Sequence, residues 1–245
     1  MKNGEMECLK YVIDALKQQN NGEVVFTNIE DSNLLLKLLN GIKPNQNEAE
    51  FPDFMSNDVI MEHFTVTSSK ENKKGSSFKK EESINDKENQ KIIKDWKDCC
   101  TKLPIKGNTI RTNVIENTYS DLSYEYFINS FNKNLLHHIE SLKKYHIDNK
   151  KVIFLIELQD ALMGIYRHDV FYKFYELNKD KKALFVLKSF VNLLDVVIFR
   201  ASDRIELIDM KKCDELYEFS YCEEDIRGGR HRNINLMLTI GINSI

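Results

Sequence analysis

Lys150–Gln159 reads KKVIFLIELQ, with apolar residues at five successive positions from Val152 to Ile156. A strand that shows one face to water alternates apolar and polar residues, so an unbroken run needs cover on both faces. Asp195–Ala201 (DVVIFRA), Arg204–Met210 (RIELIDM) and Asn235–Ile242 (NLMLTIGI) repeat the pattern. Strands of this kind belong to α/β folds, in which helices pack on both sides of a sheet.

The covering helices are legible as well. Residues 6–19 place Cys8 or Leu9, Val12, Ile13 and Leu16 at helical spacing. After a brief apolar strand at Val24–Phe26, Asn28 reads as the N-cap of a helix, with Glu30 and Asp31 in its first turn. Leu34, Leu35, Leu36, Leu38 and Leu39 form the body of that helix, and Gly41 and Pro44 stop it. Residues 50–69 read as two strands joined by a turn at Ser56-Asn57-Asp58. Lys70–Asn89 is rich in Lys, Ser and Glu and is expected to be a mobile loop that grades into a helix over 86–100. Residues 101–113, with Pro104 and Gly107, read as a loop. Residues 121–146 read as a long helix with Leu122, Tyr126, Phe127, Phe131, Leu135 and Ile139 inward, and 170–194 as helix broken at Asn178–Asp180. The expectation is therefore one domain over 1–245: a mixed sheet flanked by helices, carrying a helical insertion at about 75–148.

Composition sets the outer limits. With 245 residues, 42% of them hydrophobic and 30% charged, the chain can bury a core and stay soluble, which excludes wholesale disorder. No stretch of about 18 apolar residues occurs, so no membrane partner is expected. The five cysteines contain no CxxC pair, so neither a zinc ribbon nor a thioredoxin-type site is readable. The start lacks the apolar core of a signal peptide, and a reduced, cytoplasmic protein is the expectation.

The segment richest in chemistry is Phe51-Pro52-Asp53 through Glu62-His63-Phe64. With 59–66 as a strand, Ile60, Glu62, Phe64 and Val66 share a face. A carboxylate on an apolar face is costly unless it meets a cation or a donor. Asp53 lies nine residues earlier, across the turn of a hairpin, so both carboxylates can reach one point. Two acidic oxygen ligands suit Mg²⁺, which completes its shell with water and substrate phosphate. Glu157 is a further charge in an apolar run, sharing a strand face with Leu155 and Gln159. It reads either as a third ligand or as the polar end of the strand paired with a lysine.

Pro52-Asp53, eight intervening residues and Glu62-His63-Phe64 resemble the PD-(D/E)XK nuclease superfamily, the restriction-endonuclease-like fold. The order of elements over 28–69 and 150–210 is similar too. The resemblance implies phosphodiester hydrolysis of DNA or RNA, DNA ahead of RNA, in a bacterial restriction or defence setting. It implies Mg²⁺ (or Mn²⁺) on Asp53 and Glu62, with Glu157 assisting, and it admits a homodimer. One position departs from the family: its lysine falls two residues after the Glu, where this chain has Phe64. Lys74 and Lys79 are the candidates to replace it, with Lys80, Lys181, Lys182 and Lys188 as alternatives. Without a replacement, the same fold would serve as a catalytically inactive nucleic-acid- or protein-binding module. A plain interaction protein is a third reading.

The net charge of −3 hides an asymmetry. Residues 1–69 carry 5 basic and 11 acidic side chains, whereas 70–112 carry 12 basic and 7 acidic. Lys73 and Lys80 in that basic segment are candidate phosphate contacts. So are Arg227, Arg230 and Arg232 in the run Arg227-Gly-Gly-Arg-His-Arg232. His137, His138, Glu140 and His146 on the long helix lack the doubled unit of a di-iron site and read as surface groups. His63 points to the opposite strand face from Glu62.

Overall fold

The computed structural model describes residues 3–18, 24–46, 51–72, 75–102, 110–118, 122–147, 149–160, 163–167, 170–201, 204–220, 226–228 and 232–240. The elements run α1 (Asn3–Lys17), β1 (Val24–Thr27), α2 (Ser32–Asn40), β2 (Lys43–Pro44), β3 (Phe54–Met55) and β4 (Val59–Val66). Then come β5 (Glu71–Asn72), β6 (Gly75–Ser76), α3 (Ser77–Lys102), β7 (Ile110–Thr118), α4 (Tyr124–Lys144) and β8 (Lys151–Leu158). The remainder is β9 (Met163–Arg167), β10 (Val170–Phe174), α5 (Lys181–Lys188), β11 (Val196–Arg200), β12 (Ile205–Asp209), α6 (Cys213–Phe219), β13 (Ile226–Gly228) and β14 (Arg232–Ile240). Among the described residues, no helix is long and apolar enough to cross a membrane.

The chain forms two compact units, Met1–Ser68 with Ser123–Gly228, and Ser69–Leu122 with Gly229–Ile245. The first is α/β. Its seven-stranded mixed sheet has the order β1-β12-β11-β8-β4-β3-β2. β4, β8 and β11 run parallel, β2, β3 and β4 form an antiparallel meander, and β12 pairs antiparallel with β11 and parallel with β1. Alternate residues of the apolar runs go to opposite faces. Ile60, Phe64, Phe154, Ile156, Val197 and Phe199 pack with Phe127, Phe131, Leu135 and Ile139 of α4. Val59, Met61, Ile153, Leu155, Ile198 and Leu207 pack with Leu9, Val12 and Leu16 of α1 and Leu35 and Leu39 of α2. Each such side chain contributes about 2 kcal/mol when fully buried, which is why β8 can be apolar throughout its centre. Strands β10, β9 and β13 form a separate three-stranded sheet in this unit.

The second unit holds α3, the β5–β6 hairpin and an antiparallel ribbon of β7 and β14, in register from Arg232↔Thr118 to Ile240↔Ile110. The insertion expected to be helical over about 75–148 is thus divided. α3 and β7 belong to the second unit, while α4 packs on the main sheet of the first. Of residues 101–113, expected as loop, 101–102 close α3, 110–113 are strand β7 and 103–109 lie outside the described residues; the last apolar strand pairs with β7 rather than with the core strands. The start of 170–194, read as helical, is strand β10. Successive aromatic and β-branched residues there (Val170-Phe-Tyr-Lys-Phe174) favour extended backbone. The N-cap of α2 is Asp31, whose carboxylate accepts from Leu34 N, rather than Asn28. The side chain of Asn28 instead accepts from Asp209 N at 2.7 Å.

Candidate functional site

Phe54 pairs with Met61 and Met55 with Ile60, so Asp53, one residue before β3, stands opposite Glu62. There the ladder passes from backbone to side chains. The Asp53 N–H donates to Glu62 Oε2 at 3.0 Å, and Asp53 Oδ2 accepts from the His63 N–H at 2.9 Å. Asn45 holds the preceding residue by donating from Nδ2 to Pro52 O at 2.9 Å. Glu62 is buried and Asp53 half-buried. Burial, and then the charge of Glu62, push the Asp53 carboxyl up to about 6, against the pull of the His63 N–H.

On the α4 side of the sheet, His138 Nδ1 lies 2.7 Å from Glu62 Oε1. Its ring stacks on Phe64 with centroids 4.5 Å apart and planes 8° from parallel. Phe64 is itself buried edge-on against Phe154. The phenylalanine that stands where the resemblance expects lysine is therefore the platform for an imidazole beside Glu62.

The other face carries a second cluster. Thr65 pairs with Glu157 and Glu157 with Arg200, so strand alternation sends Glu157, Arg200 and the His63 side chain toward α1. His63 Nε2 lies 3.2 Å from Glu157 Oε2, and Arg200 Nη1 donates to Glu157 Oε1. The Arg200 guanidinium lies over the Tyr11 ring, 4.6 Å from its centroid. Cys8 completes the group, with ligand atoms of Cys8, His63 and Glu157 all within 4.8 Å of one another. Burial, and then the charge of Glu157, push the Cys8 thiol up to about 12.

No family model, curated protein or solved structure matches this chain. Its site is therefore read from its own residues.

Of the expected metal ligands, Asp53 and Glu62 meet in the hairpin, while Glu157 lies on the other face of the sheet with Arg200. Lys79 and Lys80 are exposed on α3 in the second unit. Lys73, Lys74 and Arg230 lie outside the described residues; Arg227 is in β13 and Arg232 opens β14. Lys181 and Lys188 lie over the Tyr217 ring and Lys182 over Tyr124, with Lys188 also 2.7 Å from Asp214. Glu30 pairs with Lys212 at 3.0 Å. Sequence reasoning missed His138, Cys8, Tyr11 and Arg200 as site residues. His138 had a signal, since it lies three residues after Leu135 and four before Leu142, on the buried stripe of α4.

A groove of about 740 Å³ opens beside the same meander. It is lined by Lys37, Lys43 and Lys150 with Asn45, Asn57 and Asp58. Asn45 ties it to the hairpin, because its N–H donates to Asp53 O at 2.8 Å.

Proposed function

We propose that this chain is a divalent-metal-dependent nuclease on a restriction-endonuclease-like scaffold. The observation that carries the reading is the meeting of Asp53 and Glu62 across the β3–β4 hairpin, with Asp53 raised toward neutrality by burial and by its acidic neighbour. A half-buried carboxylate pair is what a hard cation relieves. The order of elements supports the same reading: Asp53 and Glu62 belong to neighbouring antiparallel strands, and β8 returns through α4 parallel to β4.

The residues fit a Mg²⁺ or Mn²⁺ ion. Among the described residues, Asp53 Oδ1 takes no hydrogen bond, and each Glu62 oxygen takes one, leaving lone pairs for an ion. When bound, such an ion lowers the pKa of its water and polarises a phosphoryl oxygen. The chain's own residues hold the geometry. The Asp53 N–H and His138 fix the two oxygens of Glu62, and the His63 N–H fixes one oxygen of Asp53. Phe64 keeps the His138 ring against Glu62 and excludes water behind it. The groove of Lys37, Lys43 and Lys150 offers cations to a phosphodiester backbone.

Phe64 favours one second reading, a binding module without catalysis, because a buried phenylalanine cannot position an attacking water. Labelled single- and double-stranded DNA and RNA, incubated with Mg²⁺, Mn²⁺ or chelator, separate the two. Cleavage is expected with metal and should fall to the chelator baseline in Asp53→Asn and Glu62→Gln. Binding without cleavage under both metals would leave the binding module, and cleavage undiminished in both variants would remove the site.

A further inference from the structure

The cluster on the α1 face is built from donors of a different kind. Asp53 and Glu62 offer oxygen alone, whereas Cys8, His63 and Glu157 offer one sulfur, one nitrogen and one oxygen within 4.8 Å of one another. The three come from α1, β4 and β8, so the fold assembles them rather than the sequence. Two ligands at about 2.0–2.1 Å from a tetrahedral zinc ion stand about 3.3 Å apart. His63 Nε2 and Glu157 Oε2 are 3.2 Å apart. The two oxygens of Glu157 divide their work: Oε1 takes the Arg200 guanidinium and Oε2 faces the imidazole. Arg200 in turn rests on Tyr11. An outer hydrogen bond of this kind orients a ligating carboxylate. Cys8 is 1% and His63 8% exposed, while the side chains of Glu157 and Arg200 keep 21% and 26%. The cluster is dry at its sulfur end and reached from solvent at its carboxylate end.

We propose that Cys8 Sγ, His63 Nε2 and Glu157 Oε2 form a zinc site, with the fourth tetrahedral position open to water or another ligand atom. As the sulfur–zinc bond forms, the thiol proton leaves to solvent. Thiolate and carboxylate then neutralise the dication, and Arg200 remains outside as the partner of Glu157 Oε1. Thiolate and imidazole select zinc over magnesium, so this site and the carboxylate pair of the hairpin take different ions. The inference stands apart from the nuclease reading and holds whether or not the chain cleaves nucleic acid.

Cobalt(II) is the probe, titrated into the full chain carrying Cys99→Ser and Cys100→Ser, which removes the neighbouring cysteines of α3 as a sulfur source. One equivalent should bind with a thiolate-to-cobalt charge-transfer band in the near ultraviolet and intense tetrahedral visible bands, and zinc should displace it. Cys8→Ser should abolish the charge-transfer band, and Glu157→Gln should weaken affinity by about 10–100-fold or more. Asp53→Asn with Glu62→Gln should leave both unchanged, which separates this site from the hairpin. Absence of the charge-transfer band in the parent, or its persistence in Cys8→Ser, overturns the proposal. X-ray absorption at the zinc edge of the Cys99→Ser, Cys100→Ser chain, with every proposed ligand intact, decides without a change at the site itself. A sulfur shell at about 2.3 Å with two or three N/O neighbours supports the site, and a shell of oxygen alone sinks it.

Discussion

Glu206 shows how single residues of this chain carry charge under cover. It sits on β12, and its two oxygens accept the N–H groups of Leu177 and Asn178 at 2.9 and 2.7 Å. Burial nevertheless pushes its carboxyl up to about 7, more strongly than these donors and Arg204 pull it down. A carboxyl raised on folding binds its proton more tightly in the native state. Its stabilising contribution is complete below its unfolded pKa and is lost as pH rises through about 7. Urea unfolding of the wild type should therefore give falling stability from pH 5 to pH 8, by up to about 3 kcal/mol. Glu206→Gln should be less stable at pH 5, by about 1–3 kcal/mol for a lost acceptor, and should have a flatter profile. A variant profile as steep as that of the wild type would assign the dependence to other groups. At this scale the sequence was informative where chemistry is local. Asp53 and Glu62 meet because nine residues span a hairpin, and strand alternation told which way Glu62 and His63 point. Cys8, Glu157 and Arg200 were illegible as a group, since the register of three parallel strands and one helix unites them. His138 was missed because helical periodicity marks the apolar members of a stripe and passes over a polar one among them.

Among the elements, α4 does the most to position the site. Its buried stripe of Phe127, Phe131, Leu135, Ile139 and Leu142 lies on the sheet, and His138 reaches Glu62 from that same face. Phe131 is fully buried. Phe131→Ala should cost about 3–5 kcal/mol by urea denaturation. A loss under 1 kcal/mol would mean that the helix is not clamped as described. The stripe was legible in Phe127, Phe131, Leu135 and Ile139, which recur at helical spacing, whereas Tyr126, also expected inward, is exposed beside it. The buried strands were legible because unbroken apolar runs admit few alternatives. The β9–β10 hairpin was not, since aromatic residues at successive positions satisfy helical and extended patterns about equally well over a short stretch. Nor was the pairing of β7 with β14, whose partners lie more than a hundred residues apart in the chain.

For the whole molecule, the net charge of −3 conceals where the cations lie. The sequence pointed to the segment 70–112, but the first unit has its own basic groove, with Lys37, Lys43 and Lys150 drawn from three separate places in the chain. On the nuclease reading proposed above, reversing all three to Glu should weaken DNA binding by the full chain and flatten its salt dependence. Each lost phosphate contact removes about 0.9 from the slope of log K against log salt. Cleavage of a small phosphodiester by the same variant should stay at the wild-type rate. An unchanged salt slope would place the phosphate track elsewhere. One residue, finally, belongs to both faces of the sheet at once. The amide of His63 holds Asp53 in the hairpin, while its ring faces Glu157 and Cys8 on the other side. A turn of the ring about its own side-chain torsions leaves that amide in place, whereas a shift of the β4 backbone at His63 is felt on both faces.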